Sequence, residues 1–211
     1  MIPLNLRLKK NRHKEMAAIQ DLIMEELRKE FERAVLHGGT AIWRCYNGNR
    51  FSEDIDVYIP KNTKKIESLF KNLEKRDLII ERKKVSKNSI YSLLKLGRTA
   101  VRFEALFKIS TGFLKEYEKI DGNFITIHTL SPEELINEKV CAYLNRRKIR
   151  DLYDIFFLLK YVKNKKDVSN NLKKLVFGFK EPIDKNELRV IIFEGLVPET
   201  EEMLSYIKRF L

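Results

Sequence analysis

The chain has 211 residues, enough for one full domain or two small ones, and 44% hydrophobic with 34% charged residues describes a globular rather than a disordered chain. No run of about 18 apolar residues occurs, which excludes a membrane-spanning helix, and Cys45 and Cys141 are too few for a disulfide framework and lack metal-ligand spacing with the three histidines. Lys+Arg 42 against Asp+Glu 30 gives a formal net charge of +12, an excess that suits a polyanionic partner such as nucleic acid, although genome composition or thermal adaptation also produces lysine-rich surfaces.

The opening residues, through Lys10, lack the apolar core of a signal peptide, so a cytoplasmic protein is expected. Residues 14–33 read as a helix, with Met16, Ile19, Leu22, Ile23 and Leu27 at helical spacing. Ala34-Val35-Leu36 is a short strand leading into Gly38-Gly39. Residues 40–46 form a brief helix that Asn47-Gly48-Asn49 breaks as a turn. A strand over residues 55–59 ends at Pro60. Residues 64–75 are an amphipathic helix with Ile66, Leu69, Phe70 and Leu73 inward.

Three successive strands follow, over 78–86, 89–96 and 99–109, separated by turns at Lys87-Asn88 and Gly97-Arg98. Beyond loops at Gly112 and Gly122 comes a short strand, residues 126–130. Ser131-Pro132-Glu133-Glu134 then announces a helix: Ser as cap, Pro in the first turn, and Glu134 as capping-box partner. A second helix begins near Arg150 and sends Leu152, Ile155, Phe156, Leu158 and Leu159 inward. Helices over 168–176 and 200–211 complete the chain, which has no internal repeat and no Gly/Ser linker.

The chemistry is concentrated early. His37-Gly38-Gly39-Thr40 is followed after thirteen residues by Asp54-Ile55-Asp56. Paired glycines allow a close approach that a Cβ would block, and Thr40 opens a helix whose first N–H groups and hydroxyl can face an anion. In Asp-Ile-Asp-Val-Tyr-Ile, period two sets both carboxylates on one face and Ile55, Val57 and Ile59 on the other. Two adjacent carboxylates repel unless a cation lies between them. A phosphate cradle facing paired acids suits a nucleoside triphosphate with Mg2+ or Mn2+. Alone, a glycine pair marks turns in any fold, and Asp-x-Asp is commonly a solvated pair on an edge strand; the joint spacing makes them specific.

Within residues 99–109, alternation puts Val101, Phe103 and Ala105 on one side, and Arg102 with Glu104 on the other. A charged pair in an otherwise apolar strand is expensive unless paired or functional. Two readings stand: Glu104 as a third metal-binding acid, or an edge-strand ion pair of Arg102 with Glu104.

The run from His37-Gly38-Gly39-Thr40-Ala41 through Arg50-Phe51-Ser52-Glu53-Asp54-Ile55-Asp56 resembles the polymerase-β-type nucleotidyltransferase signature. More closely, it is similar to the AbiEii/AbiGii-type nucleotidyltransferase toxins, which read Gly-Gly-Thr-Ala, Arg-x-Ser before the acids, then a Lys and Arg-Asp-x-x-Asp. Glu138-Lys139 and Arg150-Asp151-Leu152-Tyr153-Asp154 stand where those later pieces belong. The resemblance spans residues 30–160. It implies an α+β fold: a polymerase-β-like lobe of mixed sheet with flanking helices (residues 1–128) and a C-terminal helical lobe (129–211) closing the active-site cleft.

It also implies roles. Asp54, Asp56 and Glu104 would hold the metal; Gly38, Gly39 and Thr40 would hold the triphosphate; Lys139 would reach a phosphate. Asp154 or Asp151 would orient Lys139, hold the ribose or lie beside the acceptor, with helix capping the alternative for Asp151. Arg50 and Ser52 would contact phosphate or brace the loop, while His37 and His128 would be structural. The expected activity is transfer of NMP from an NTP to an RNA hydroxyl, most plausibly a tRNA 3′ end, by a toxin with a cognate antitoxin. The alternatives are a protein or small-molecule acceptor, or a non-catalytic nucleic-acid-binding domain.

Overall fold

A computed structural model describes residues 2–211 as two units. The first holds the residues up to Asn47 together with Phe51–Leu130, and the second holds Gly48–Arg50 and Ser131–Leu211. In chain order the first unit contains α1 (Leu4–Arg7), α2 (Asn11–Glu30), β1 (Val35–His37), α3 (Gly38–Cys45), β2 (Ile55–Ile59) and α4 (Thr63–Glu74). After these come β3 (Ile79–Val85), β4 (Ser89–Leu96), β5 (Thr99–Phe107), β6 (Phe113–Glu118) and β7 (Phe124–Thr129).

The strands form one seven-stranded mixed sheet in the order β3-β4-β5-β2-β1-β7-β6. β2 runs parallel to β5 and β1 parallel to β7; the other neighbours are antiparallel. Alternation divides the sheet into two unlike faces. Ile55, Val57, Ile59, Ile90, Leu94, Val101, Phe103 and Ala105 are buried on one of them. α2 and α4 cover that face, burying Ile19, Ile23 and Leu27 from α2 and Ile66, Leu69, Phe70 and Leu73 from α4. Phe70 meets Phe103 edge-on at 6.4 Å between ring centroids. Each such side chain contributes roughly 1.5–3 kcal/mol of burial, so this face anchors the sheet. The opposite face carries the half-buried Asp56 and Glu104.

Local signals explain most boundaries. Asn62 caps α4 by accepting from Lys65 N at 3.1 Å. Pro60, with no N–H, follows the last residue of β2. The stretch from Phe113 to Glu118, which the sequence pattern leaves unassigned, forms β6, an edge strand paired with β7. Phe113 and Leu114 at its start are exposed, whereas Tyr117 and Glu118 at its end are buried beside Arg44 of α3, so burial changes along the strand instead of alternating.

The second unit contains α5 (Pro132–Arg146), α6 (Ile149–Leu158), α7 (Lys166–Phe177), α8 (Glu187–Ile191) and α9 (Thr200–Phe210). Leu135, Ile136 and Val140 of α5, Leu152, Ile155 and Leu158 of α6, Val168, Leu172 and Leu175 of α7, and Met203 and Ile207 of α9 are all buried. The α5 start is the capping box read from the sequence: Ser131 Oγ accepts from Glu134 N at 3.1 Å, and the Glu134 carboxylate accepts from Ser131 N at 2.9 Å. The short segment Gly48–Arg50 joins this unit through a bridge of Arg50 with Ile192 and a bond from Phe193 N to Asn49 O at 3.0 Å. Among the described residues, no helix is long and apolar enough to cross a membrane.

Candidate active site

In the first unit, β1 passes directly into α3, whose opening residues are Gly38, Gly39 and Thr40. His37 occupies the N-cap position without capping the helix through its side chain; its ring stacks on Tyr58, 4.0 Å between centroids. The N–H groups of the first turn have no intrahelical acceptor and carry the positive end of the helix dipole. Gly38 has φ +70°, and a Cβ there would lie 2.5 Å from Asp56 Oδ2. The first glycine therefore makes room for a carboxylate rather than only for a turn. Thr40 is fully buried and its hydroxyl donates to the Asp54 carbonyl oxygen, tying the two motifs together. What Thr40 has left for an anion is its backbone N–H. Ser52 is buried, and its carbonyl accepts from Gln20 Nε2 at 2.8 Å.

Asp54 immediately precedes β2, and Asp56 lies within it. β2 is interior to the sheet, so the acids are not on an edge. The register sets Asp56 opposite His37 on one side and Glu104 on the other, which brings directly paired Cβ atoms to about 4.5–5.5 Å. Glu104 is held above the ordinary glutamate range: burial pushes it up, Arg102 pulls it down, and Asp56 and Asp54 push it up again. Arg102 Nε lies 3.1 Å from Glu104 Oε1, and its Nη2 also pairs with Asp54. The ion pair weighed from the sequence is thus present, on an interior strand, and one guanidinium serves two of the three acids. Burial works against the charged Arg102, but Asp54 and Glu104 raise its pKa overall.

Among the described residues, no three His, Cys, Asp or Glu side chains converge into a group that could hold a metal ion as they stand. The donor chemistry nevertheless fits a hard, oxygen-liganded divalent cation. Asp54, Asp56 and Glu104 share one region of one face, and a cation is already drawn between two of them.

The second unit assembles its own cluster. Arg50 donates from Nε and Nη2 to the two oxygens of Asp154, both at 2.7 Å. Lys139 Nζ lies 2.7 Å from Asp154 Oδ2 and 3.5 Å from Asp151 Oδ1. Arg146 forks onto Asp151 at 2.7 and 2.8 Å. Asp154, Asp151, Arg50 and Lys139 are all buried. Burial pushes Asp154 up, but Arg50 and Lys139 outweigh it and hold the carboxyl below the ordinary aspartate range. Asp151 lies in the first turn of α6, yet its side chain is committed to Arg146 and Lys139 rather than to the helix end. Arg50, Lys139 and Arg146 thus converge on the two carboxylates.

Sequence reading overlooked the supports. Arg44, 1% exposed, donates to Glu118 O and Ala17 O at 2.9 Å each and pairs with Asp21 at 3.1 Å, fixing the far end of α3. Asp21 also accepts from Tyr117 Oη at 3.0 Å and Ile120 N at 2.7 Å. Gln20 and Asp21 follow Met16 and Ala17 by four residues and so lie on the apolar stripe of α2. A polar residue on that stripe was the signal.

A helix N-terminus set against paired acids on one sheet face is the arrangement that the sequence resemblance to nucleotidyltransferases implies. The model of the family described as nucleotidyl transferase AbiEii toxin, type IV toxin–antitoxin system, matches residues 22–182, well over half of the sequence. The chain therefore belongs to the AbiEii nucleotidyltransferase toxin family. The solved structure of JHP933 from Helicobacter pylori aligns with TM-score 0.66 at 18% identity, covering 95% of this chain and 90% of that one. MenT4, the nucleotidyltransferase toxin Rv2826c from Mycobacterium tuberculosis H37Rv, aligns with TM-score 0.66 at 16% identity, covering 94% and 82%. A comparison with curated proteins yields no match.

Three outcomes follow. Gly38→Ala forces a left-handed alanine, at about 1–2 kcal/mol, and drives its methyl into Asp56; nucleotidyl transfer falls about 100-fold with the circular dichroism spectrum retained. Glu104→Gln removes a carboxylate that destabilises the fold when ionised, so at pH 8 the Tm is unchanged or higher than wild type. That difference disappears below the ordinary glutamate range, where the wild-type group is protonated as well. Asp154→Asn removes the carboxylate that two buried cations share and lowers unfolding free energy by about 3–5 kcal/mol in urea titrations. The deficit shrinks as pH falls through the depressed Asp154 pKa, because the wild type then loses the same charge.

Proposed function

We propose that this toxin transfers NMP from an NTP, with Mg2+ or Mn2+, to a hydroxyl of RNA, most plausibly a tRNA 3′ end, and that a cognate antitoxin restrains it in the cytoplasm. The observation that carries the reading is the contact between Gly38 and Asp56, which sets the anion-binding start of α3 against the acids. Gly38, Gly39 and Thr40 hold the triphosphate through backbone N–H groups. Asp54, Asp56 and Glu104 would hold the divalent ion, which when bound would offset charge on the phosphates and favour the deprotonated acceptor hydroxyl. The acceptor oxygen forms a bond to the α-phosphorus, the bond to the pyrophosphate oxygen breaks, and the hydroxyl proton leaves to solvent.

Arg50, Lys139, Asp151 and Asp154 enter as one unit. Asp154 and Asp151 fix the positions of Arg50 and Lys139, whose cationic groups suit a phosphate. Ser52 braces the loop before the acids. RNA is favoured over a small-molecule acceptor by the net charge of +12 and by Arg33 and Lys108 in the lining of one cavity. A small basic acceptor would call for an enclosed acidic pocket.

Purified protein with Mg2+, total tRNA and each labelled NTP in turn tests the reading. Label enters tRNA with the wild type and not with Asp54→Ala/Asp56→Ala. NTP binding indifferent to both Asp56→Ala and metal removal would overturn it, and label entering protein instead would replace the acceptor.

A further inference from the structure

The sheet register extends the acid row beyond the acids. Residues paired across neighbouring strands share a face, so His37, Asp56, Glu104, Tyr91 and Lys84 form one continuous row across β1, β2, β5, β4 and β3. The adjoining row on that face holds Arg102, Leu93 and Arg82. Tyr91 is 37% exposed and Leu106 beside it 45%. One strand spacing separates Glu104 from Tyr91, and two, about 10 Å, separate it from Lys84.

Charge is sorted along the same direction. β4 contains no acid, and the one acid of β3, Glu81, is paired with Lys95 at 2.9 Å. Among the described residues, Arg82 and Lys84 enter no ion pair. Lys83, between them, turns to the helix-covered face, where its ammonium lies 4.1 Å from the Phe70 ring centroid. Cations on an edge strand also deter sheet-to-sheet aggregation. That purpose does not require an exposed aromatic in the row of the acids, nor both uncommitted cations on its face. An aromatic platform flanked by cations is how sheet surfaces hold single-stranded nucleic acid.

We propose that the open face of β4 and β3 carries the single-stranded end of the acceptor RNA to the acids, one base stacking on Tyr91 and backbone phosphates meeting Lys84 and Arg82. This rests on the RNA-acceptor reading above.

The test uses the full chain, a single-stranded oligoribonucleotide ending in a 3′-hydroxyl, fluorescence anisotropy for binding and labelled-NTP transfer for activity. Tyr91→Ala raises KM for RNA roughly ten- to a hundredfold with KM for NTP unchanged, and Tyr91→Phe restores it. Arg82→Gln/Lys84→Gln lowers the slope of log affinity against log salt by about 1.4, two phosphate contacts on a single strand. Lys83→Gln changes neither quantity. If the wild type modifies RNA but Tyr91→Ala and Arg82→Gln/Lys84→Gln behave like it, the track is wrong while the RNA reading stands. If those variants alter oligomeric state or capture of a protein partner and leave RNA binding intact, the face is a protein interface and the proposal fails. If the wild type transfers nothing to RNA, both readings fall together.

Discussion

The parallel pairing of β2 with β5, in the register that sets Asp56 opposite Glu104, is the constraint on which the candidate site depends. A slip by one residue would turn every side chain of β2 over, sending Asp56 into the core that Val57 and Ile59 now fill. The apolar back face prevents that slip. β1 then fixes the other side: its pairing with β2 sets His37 against Asp56, and the chain enters α3 in the next residue. The helix start is consequently located by sheet register, not by a loop. Arg44, buried between Trp43 at 4.1 Å and Tyr117 at 5.0 Å and tied to Asp21, locks the helix at its other end.

Much of this was legible in the sequence because it is local. Period two in residues 55–59 and 101–105 is enough to assign a face to each residue, and Ser131 with Glu134 announces α5 without help from tertiary structure. Gly38 was legible as a glycine needed for close approach, but not as the neighbour of Asp56, because that contact depends on strand pairing. The Arg50–Asp154 fork joins residues 104 positions apart, and no spacing rule reaches that far. Gln20 and Asp21 lie on a helical stripe whose periodicity is set by its apolar members, so the pattern marks their position but not the polar contacts they make there. β6 carries no period-two signal because its burial runs from exposed Phe113 to buried Tyr117 and Glu118 instead of alternating.

Three carboxylates gathered on one half-exposed face are an electrostatic liability that the rest of the unit must support. The burial of Phe103, Val57, Ile55 and Leu69, all at 0% exposure, supplies stabilisation large enough to tolerate it. The same liability accounts for Arg102. A cation on the strand of Glu104, within reach of Asp54, reduces the repulsion in the resting protein. Natural sequences carry local conflicts of this kind at functional sites and compensate for them elsewhere.

The two charge clusters differ in the property that decides which can exchange partners. Arg102 is 39% exposed, with Asp54 at 23% and Glu104 at 41%. Solvent-accessible ion pairs of this sort are worth about 0–1 kcal/mol, so a phosphate-bound cation can displace the guanidinium at little expense. Asp154 is 1% exposed, and its partners Arg50 and Lys139 are 5% and 8%; Asp151 is 0% exposed, but Arg146 upon it is 47%. Removing one member of a buried pair costs about 3–5 kcal/mol, so Asp154 keeps Arg50 and Lys139 where the exposed pairs can exchange. On the proposed function, the exposed acids would bind and release a metal-bound nucleotide, and buried Asp154 would hold Arg50 and Lys139 at fixed positions. A search by residue type alone would rank all five carboxylates equally; burial separates them.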